Sequence, residues 1–187
     1  MQALRPSVER LSPSSANTFR KCPKLFHYTK VLGIRTPGSE ATTKGTLSHL
    51  VLEDLWSRPV QERTPTLAHE LVDAHWQELR LSEEVQANLA GDPKFVHEDA
   101  LLQHVHELID TYFTLEDITH DSTVDIPFIG EVNGQELHVQ AEVDGAVFQG
   151  FIDRLDAIVD PDSGATIVRV TDYKTGKLHA IPAYQDD

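Results

Sequence analysis

The sequence predicts an α+β fold, with helices first and a mostly antiparallel β-sheet after them. Three observations carry this expectation. Up to about residue 118 the apolar residues recur at helical spacing. After Thr119 they alternate with polar or small residues, the period of a strand. Two dipeptides in the second part, Asn133-Gly134 and Asp144-Gly145, read as two-residue hairpin turns, which join strands antiparallel. Helices and strands segregated along the chain, rather than alternating, mark the α+β class.

Each element has its own signal. Ser12 is an N-cap, with Pro13 at the first helical position and Ala16 and Phe19 on one face. Pro23 interrupts this helix because proline disfavours helical geometry in the residue before it. Leu25, Phe26 and Tyr28 cluster beyond the break, and residues 35–44 read as a loop. A second helix fits Thr46 to Trp56, where Leu47, Val51 and Leu55 share one face, and Pro59 closes it. Leu67, Leu71, Val72, His75, Trp76 and Leu79 mark a third helix, and Gly91-Asp92-Pro93 breaks the chain. Leu101, Val105, Leu108, Ile109, Tyr112 and Phe113 mark a fourth. Val124, Ile126 and Phe128 then alternate as a strand, followed by Leu137, Val139 and Ala141, by a long strand or bent ribbon from Val147 to Val159, and by Ile167 to Tyr173.

The 187 residues suit one domain, mainly helical over 1–118, a sheet over 119–177 and a short tail over 178–187. No run approaches the roughly 18 apolar residues of a membrane span, and the N-terminus lacks the apolar core of a secretory signal, so a cytoplasmic location without a membrane partner is the default. Cys22 stands alone, which excludes an intramolecular disulfide and a cysteine-rich zinc site. The net charge of −14 argues at first against a nucleic-acid partner. It is unevenly spread, however: residues 1–50 hold eight Lys/Arg and two Asp/Glu, a net of +6, and the remainder carries −20. A basic N-terminal segment can touch phosphate while the acidic body faces solvent or holds cations.

Two segments carry candidate chemistry, Gly150-Phe151-Ile152-Asp153-Arg154-Leu155-Asp156 and Val170-Thr171-Asp172-Tyr173-Lys174-Thr175-Gly176-Lys177. Each sets an acid in an apolar β-rich stretch, where a buried carboxylate costs several kcal/mol unless cations or hydrogen bonds compensate. Asp172 and Lys174 share one strand face, and neighbouring strands lie about 4.8 Å apart, so Asp153 can join them around a metal-sized space. Mg²⁺ prefers oxygen ligands, and such a grouping suits phosphodiester hydrolysis. The plain alternative is a solvated Asp–Lys ion pair of little energetic weight.

Asp153 followed by Asp172-x-Lys174 resembles the core motif of the PD-(D/E)xK nucleases. G-F-I-D-R-L-D, D-Y-K-T-G-K, L-S-P-S-S-A-N-T-F-R-K-C-P-K-L-F-H-Y and K-G-T-L-S-H-L-V-L-E resemble motifs of the RecB-like exonuclease branch, in the same order over residues 11–177. The likeness is to small stand-alone bacterial members. It implies a restriction-endonuclease-like core and a Mg²⁺- or Mn²⁺-dependent DNA exonuclease of repair or recombination, acting on single strands or ends. It implies His49, Asp153, Asp172 and the backbone carbonyl of Tyr173 as metal ligands and Lys174 as the catalytic lysine. Arg20, Lys21, Lys24, Lys44 and Arg154 are candidate DNA contacts, although an ion pair with Asp156 suits Arg154 equally. Glu53, four residues after His49, can buttress the site or stand solvated. Some RecB-like nucleases hold a 4Fe–4S cluster on four cysteines; Cys22 alone argues against one in this chain. Relatives continue with a helix bearing a Gln-x-x-x-Tyr-like motif, so the resemblance implies a truncated C-terminus. Glu142 is the nearest candidate for the family's glutamate upstream of Asp153. The rival expectations are a non-catalytic module that binds DNA or a helicase-like partner, and an acidic scaffold.

Overall fold

The computed structural model describes residues 10–34, 38–92, 95, 97–119, 123–126, 130–160 and 162–176. The strand residue Phe128, the breaker Pro93, Lys177 and the expected tail at 178–187 lie outside the described residues.

The order is β1 (Arg10–Leu11), α1 (Pro13–Lys21), α2 (Pro23–Phe26), a π-helical turn (His27–Val31), α3 (Glu40–Ser57), a 3₁₀ turn (Val60–Glu62), α4 (Pro65–Leu79), α5 (Glu83–Gly91), α6 (Glu98–Leu115), then β2 (Thr123–Ile126), β3 (Gly130–Asn133), β4 (Gln135–Val143), β5 (Ala146–Val159) and β6 (Thr166–Thr171). This is the α+β order that the sequence predicts.

Helix starts follow local chemistry. The Ser12 hydroxyl accepts the Ser15 N–H at 3.1 Å, with Pro13 in the first turn. α3 begins earlier than expected, because Ser39 and Thr42 form a reciprocal capping box; residues 40–44 are therefore helix and not loop. α5 was not expected at all. Its signals are short and local, a Ser82 cap and two acids in the first turn, with only Val85 and Asn88 buried.

The helices make the core. Leu47, Val51 and Leu55 of α3, Ala68 and Val72 of α4, and Leu101 and Val105 of α6 have no solvent exposure. They form one cluster, against which Tyr173 packs from beyond the last strand. At about 25 cal/mol per Å² of buried apolar surface, this helical layer supplies the main driving force for folding.

The sheet is centred on β5. β4 pairs antiparallel with its first half and β6 antiparallel with its second, while the two residues of β1 pair parallel with Val147 and Phe148. Asp144 and Gly145 join β4 to β5, both with positive φ (50° and 77°), as a two-residue turn with left-handed central residues requires. Asn133-Gly134 is not the second hairpin turn expected. β3 pairs with β2 and β4 with β5, so the chain changes sheets there. The Gly134 carbonyl instead accepts the Leu155 N–H at 2.6 Å.

Candidate active site

Three side chains from three elements meet at the edge of the helical layer. His49 comes from the third turn of α3, Asp153 from β5 and Glu136 from the start of β4. One potential ligand atom from each lies within 4.8 Å of the others, the one such group among the described residues. His49 Nδ1 is 3.6 Å from an Asp153 oxygen and 4.0 Å from Glu136 Oε1.

The hydrogen bonds fix the chemistry of the group. His49 Nε2 donates to the Tyr173 carbonyl at 3.2 Å, since a carbonyl can only accept. In the neutral ring, Nδ1 is then a lone pair facing two carboxylates. Three electron-rich atoms in this arrangement form a donor set that a cation would stabilise. The other Asp153 oxygen accepts the Tyr173 N–H at 2.6 Å, which ties β5 to the segment after β6. Burial raises the Glu136 carboxyl above its ordinary value; Asp153 and Glu53 add to this, and His49 opposes it. A divalent ion fits this donor set of one imidazole and two carboxylates. An open cleft of about 360 Å³ lies over the group, lined by Gly45, Thr46, His49, Leu50, Glu53 and Glu136.

Glu136 was not among the expected residues, and Glu142, the expected glutamate, pairs across the sheet with Val147 instead. The signal lay in the turn. Counting outward from Asp144-Gly145, Glu136 and Asp153 stand at the same step, between the observed pairs Gln135–Arg154 and Leu137–Ile152. Glu136 has φ 42°, a left-handed conformation unfavourable by about 1–2 kcal/mol for a residue with a side chain.

Asp172 and Lys174 lie just past β6 and pair with each other. Lys174 Nζ is 2.6 Å from Asp172 Oδ1, and both side chains are well exposed. Asp172 is not within the His49–Glu136–Asp153 group. The residue between them turns the opposite way. The Tyr173 ring packs edge-on to His49 and to Tyr112, and its hydroxyl accepts from Arg154 at 3.3 Å.

Arg154 is corrected as a DNA contact. It has no solvent exposure, and its guanidinium is consumed internally. It reaches Asp156 at 2.9 Å, Glu116 at 3.1 Å and the Tyr112 hydroxyl at 2.6 Å, and lies over the Trp56 ring at 4.2 Å. Arg169 joins the same acids, at 2.8 Å from Glu116 and 2.9 Å from Asp156, so the network fastens the end of α6 to β5 and β6. Among the other expected contacts, Arg20, Lys21 and Lys24 are exposed on α1 and α2. Lys44 is held by Glu40 at 3.2 Å. Glu53 is exposed on the cleft wall, where its charge acts on Glu136.

The chain belongs to the PD-(D/E)XK nuclease superfamily, which it matches over residues 10–184. No curated protein and no solved structure gives a significant match. Members of this superfamily are usually nucleases that use divalent metal ions. No helix among the described residues is long and apolar enough to cross a membrane.

Proposed function

We propose that the protein is a Mg²⁺- or Mn²⁺-dependent deoxyribonuclease of the RecB-like branch, exonuclease-like, serving DNA repair or recombination. The whole chain acts as one nuclease domain, with the helices as one lobe and the sheet carrying the catalytic segments. The observation that carries this is the convergence of His49, Glu136 and Asp153 beside the Asp172-Tyr173-Lys174 segment, within the superfamily's span.

His49, Glu136 and Asp153 would hold the metal ion, while the Tyr173 carbonyl, bonded to His49 Nε2 on the other side of the ring from the two carboxylates, would orient the imidazole and not ligate the ion. When bound, a divalent ion lowers the pKa of a coordinated water and polarises a phosphoryl oxygen. The protein supplies the rest. Asp153, anchored by the Tyr173 N–H, keeps its second oxygen turned to the group. The Lys174 ammonium offers positive charge for the phosphorane-like transition state. Its pairing with Asp172 is exposed, and exposed pairs contribute only about 0–1 kcal/mol, so both groups are readily released to substrate or metal. Exposed Arg20, Lys21 and Lys24 offer phosphate contacts for a single strand or an end.

The pairing of Asp172 with Lys174, outside the carboxylate group, also favours a second reading. In it the chain is a non-catalytic module that binds DNA or a helicase-like partner. One assay separates the two. Mn²⁺-dependent degradation of end-labelled single-stranded DNA is expected from the parent protein and from no preparation of Lys174→Ala or Asp153→Ala. Equal cleavage by Lys174→Ala would rule out the mechanism; metal-independent binding without cleavage by the parent would establish the second reading.

A further inference from the structure

A second, separate cluster of imidazoles bridges two helices. His69 on α4 and His106 on α6 meet Nδ1 to Nδ1 at 2.6 Å, with ring centroids 4.8 Å apart. Each ring's other nitrogen faces a carboxylate. His69 Nε2 is 2.8 Å from Asp110 Oδ1, and His106 Nε2 is 3.5 Å from Asp73 Oδ1. Both rings are about one third exposed, so solvent and ions reach them.

The Asp110 carboxylate, at hydrogen-bond distance, favours the His69 proton on Nε2, and Asp73 at 3.5 Å acts in the same direction on His106 more weakly. A carboxylate on Nε2 draws the ring proton to that nitrogen, which leaves a lone pair on Nδ1. At 2.6 Å one Nδ1–H can donate to the other Nδ1; with the proton of each ring on Nε2 instead, the two Nδ1 lone pairs converge on one point that a cation would occupy. A metal-bound histidine commonly donates its remote N–H to a carboxylate, which fixes ring orientation and raises ligand basicity. Here a carboxylate faces the remote nitrogen of each ring, at hydrogen-bond distance for His69 and at 3.5 Å for His106.

We propose that His69 and His106 form a two-histidine site for a borderline transition-metal dication of the zinc type, clipping α4 to α6. Imidazole selects Zn²⁺, Ni²⁺ or Cu²⁺ over the oxygen-seeking Mg²⁺ and Ca²⁺. Zn–N bonds of about 2.0–2.1 Å in tetrahedral geometry need the two nitrogens about 3.3 Å apart, a small parting that two partly exposed rings can make. Water or an external ligand fills the remaining positions. The clip joins helices whose inner faces already share the core through Ala68, Val72, Val105 and Ile109. It does not depend on the nuclease reading, because none of its residues belongs to the His49 group.

The test uses the full chain carrying Asp153→Ala, which disables the His49 group, titrated with Zn²⁺ alone. Calorimetry should show one zinc site, and Zn²⁺ at about 100 times its dissociation constant should raise Tm by about 5 °C or more. His69→Gln or His106→Gln should abolish both effects, His75→Gln should leave them, and Mg²⁺ should produce neither. Zinc binding that survives both His69→Gln and His106→Gln, or its absence from the Asp153→Ala chain, overturns the site. A second readout needs no histidine substitution: ¹⁵N spectra of the ring nitrogens should show Zn²⁺ shifting the Nδ1 signals of His69 and His106. Unshifted signals at saturating Zn²⁺ would mean that a proton, and not a metal, occupies the gap.

Discussion

Arg154 shows how far one residue's role depends on its surroundings. Beside the motif aspartate it reads as a phosphate ligand or as the partner of Asp156, and the structure encloses it fully together with Asp156. Burial works against its positive charge, but Tyr173, Tyr112, Asp156 and Glu116 more than offset this and hold it above its ordinary value. Removing one partner of such a network leaves uncompensated buried charge, which costs about 3–5 kcal/mol. Arg154→Ala should therefore lower Tm by roughly 10 °C in thermal unfolding, and the protein that remains folded should bind DNA with unchanged affinity. Tyr173 supports a pH prediction. Burial is the largest cause of its raised pKa, with Tyr112 next, and Arg154 works the other way. The folded state thus resists ionisation that the unfolded chain undergoes near 10. The stability linked to Tyr173 is complete below pH 10 and is lost as pH rises from there toward the folded value. Urea melts at pH 9 and pH 11 should show a drop that is smaller in Tyr173→Phe.

At the scale of elements, the β4–β5 hairpin does the positioning. Its turn needs two left-handed residues, and Asp144-Gly145 supplies them, so the register follows from the turn. That register brings Glu136 opposite Asp153, and α3 delivers His49 to the same edge. Gly145→Ala puts a Cβ on a residue at φ 77° and should cost about 1–2 kcal/mol, read as a Tm lower by a few degrees. Helix α3 was legible in its core-facing residues, Leu47, Val51 and Leu55, all fully buried. Its first turn was not, because Thr, Gly and Ser suggest a loop until Ser39 and Thr42 are seen to cap each other. The hairpin expected at Asn133-Gly134 failed for a related reason. A turn signal reports local backbone preference, and it does not say which strands pair.

For the whole molecule, the carboxylate group and the helical core are coupled through Tyr173. Its ring packs on the core, while its N–H and carbonyl hold Asp153 and His49. A metal ion that binds only the folded state raises stability by mass action. Mn²⁺ at about 100 times its dissociation constant should lift Tm by at least 5 °C, EDTA should reverse this, and Asp153→Ala should abolish it. A parent protein that melts at the same temperature with and without Mn²⁺ would overturn the group as a metal site. The sequence alone determined the α+β order, the helix faces, the Ser12 cap, the Asp144-Gly145 turn and the superfamily motifs, because each depends on residues close in the chain. Only tertiary structure decided that α3 brings His49 to Glu136 and Asp153, that Arg154 is buried among Trp56, Tyr112 and Glu116, and that Asp172 turns to Lys174. Those outcomes depend on which strands pair and which surfaces close over a charge, and burial and cross-strand distance are properties of the folded chain that no local pattern encodes.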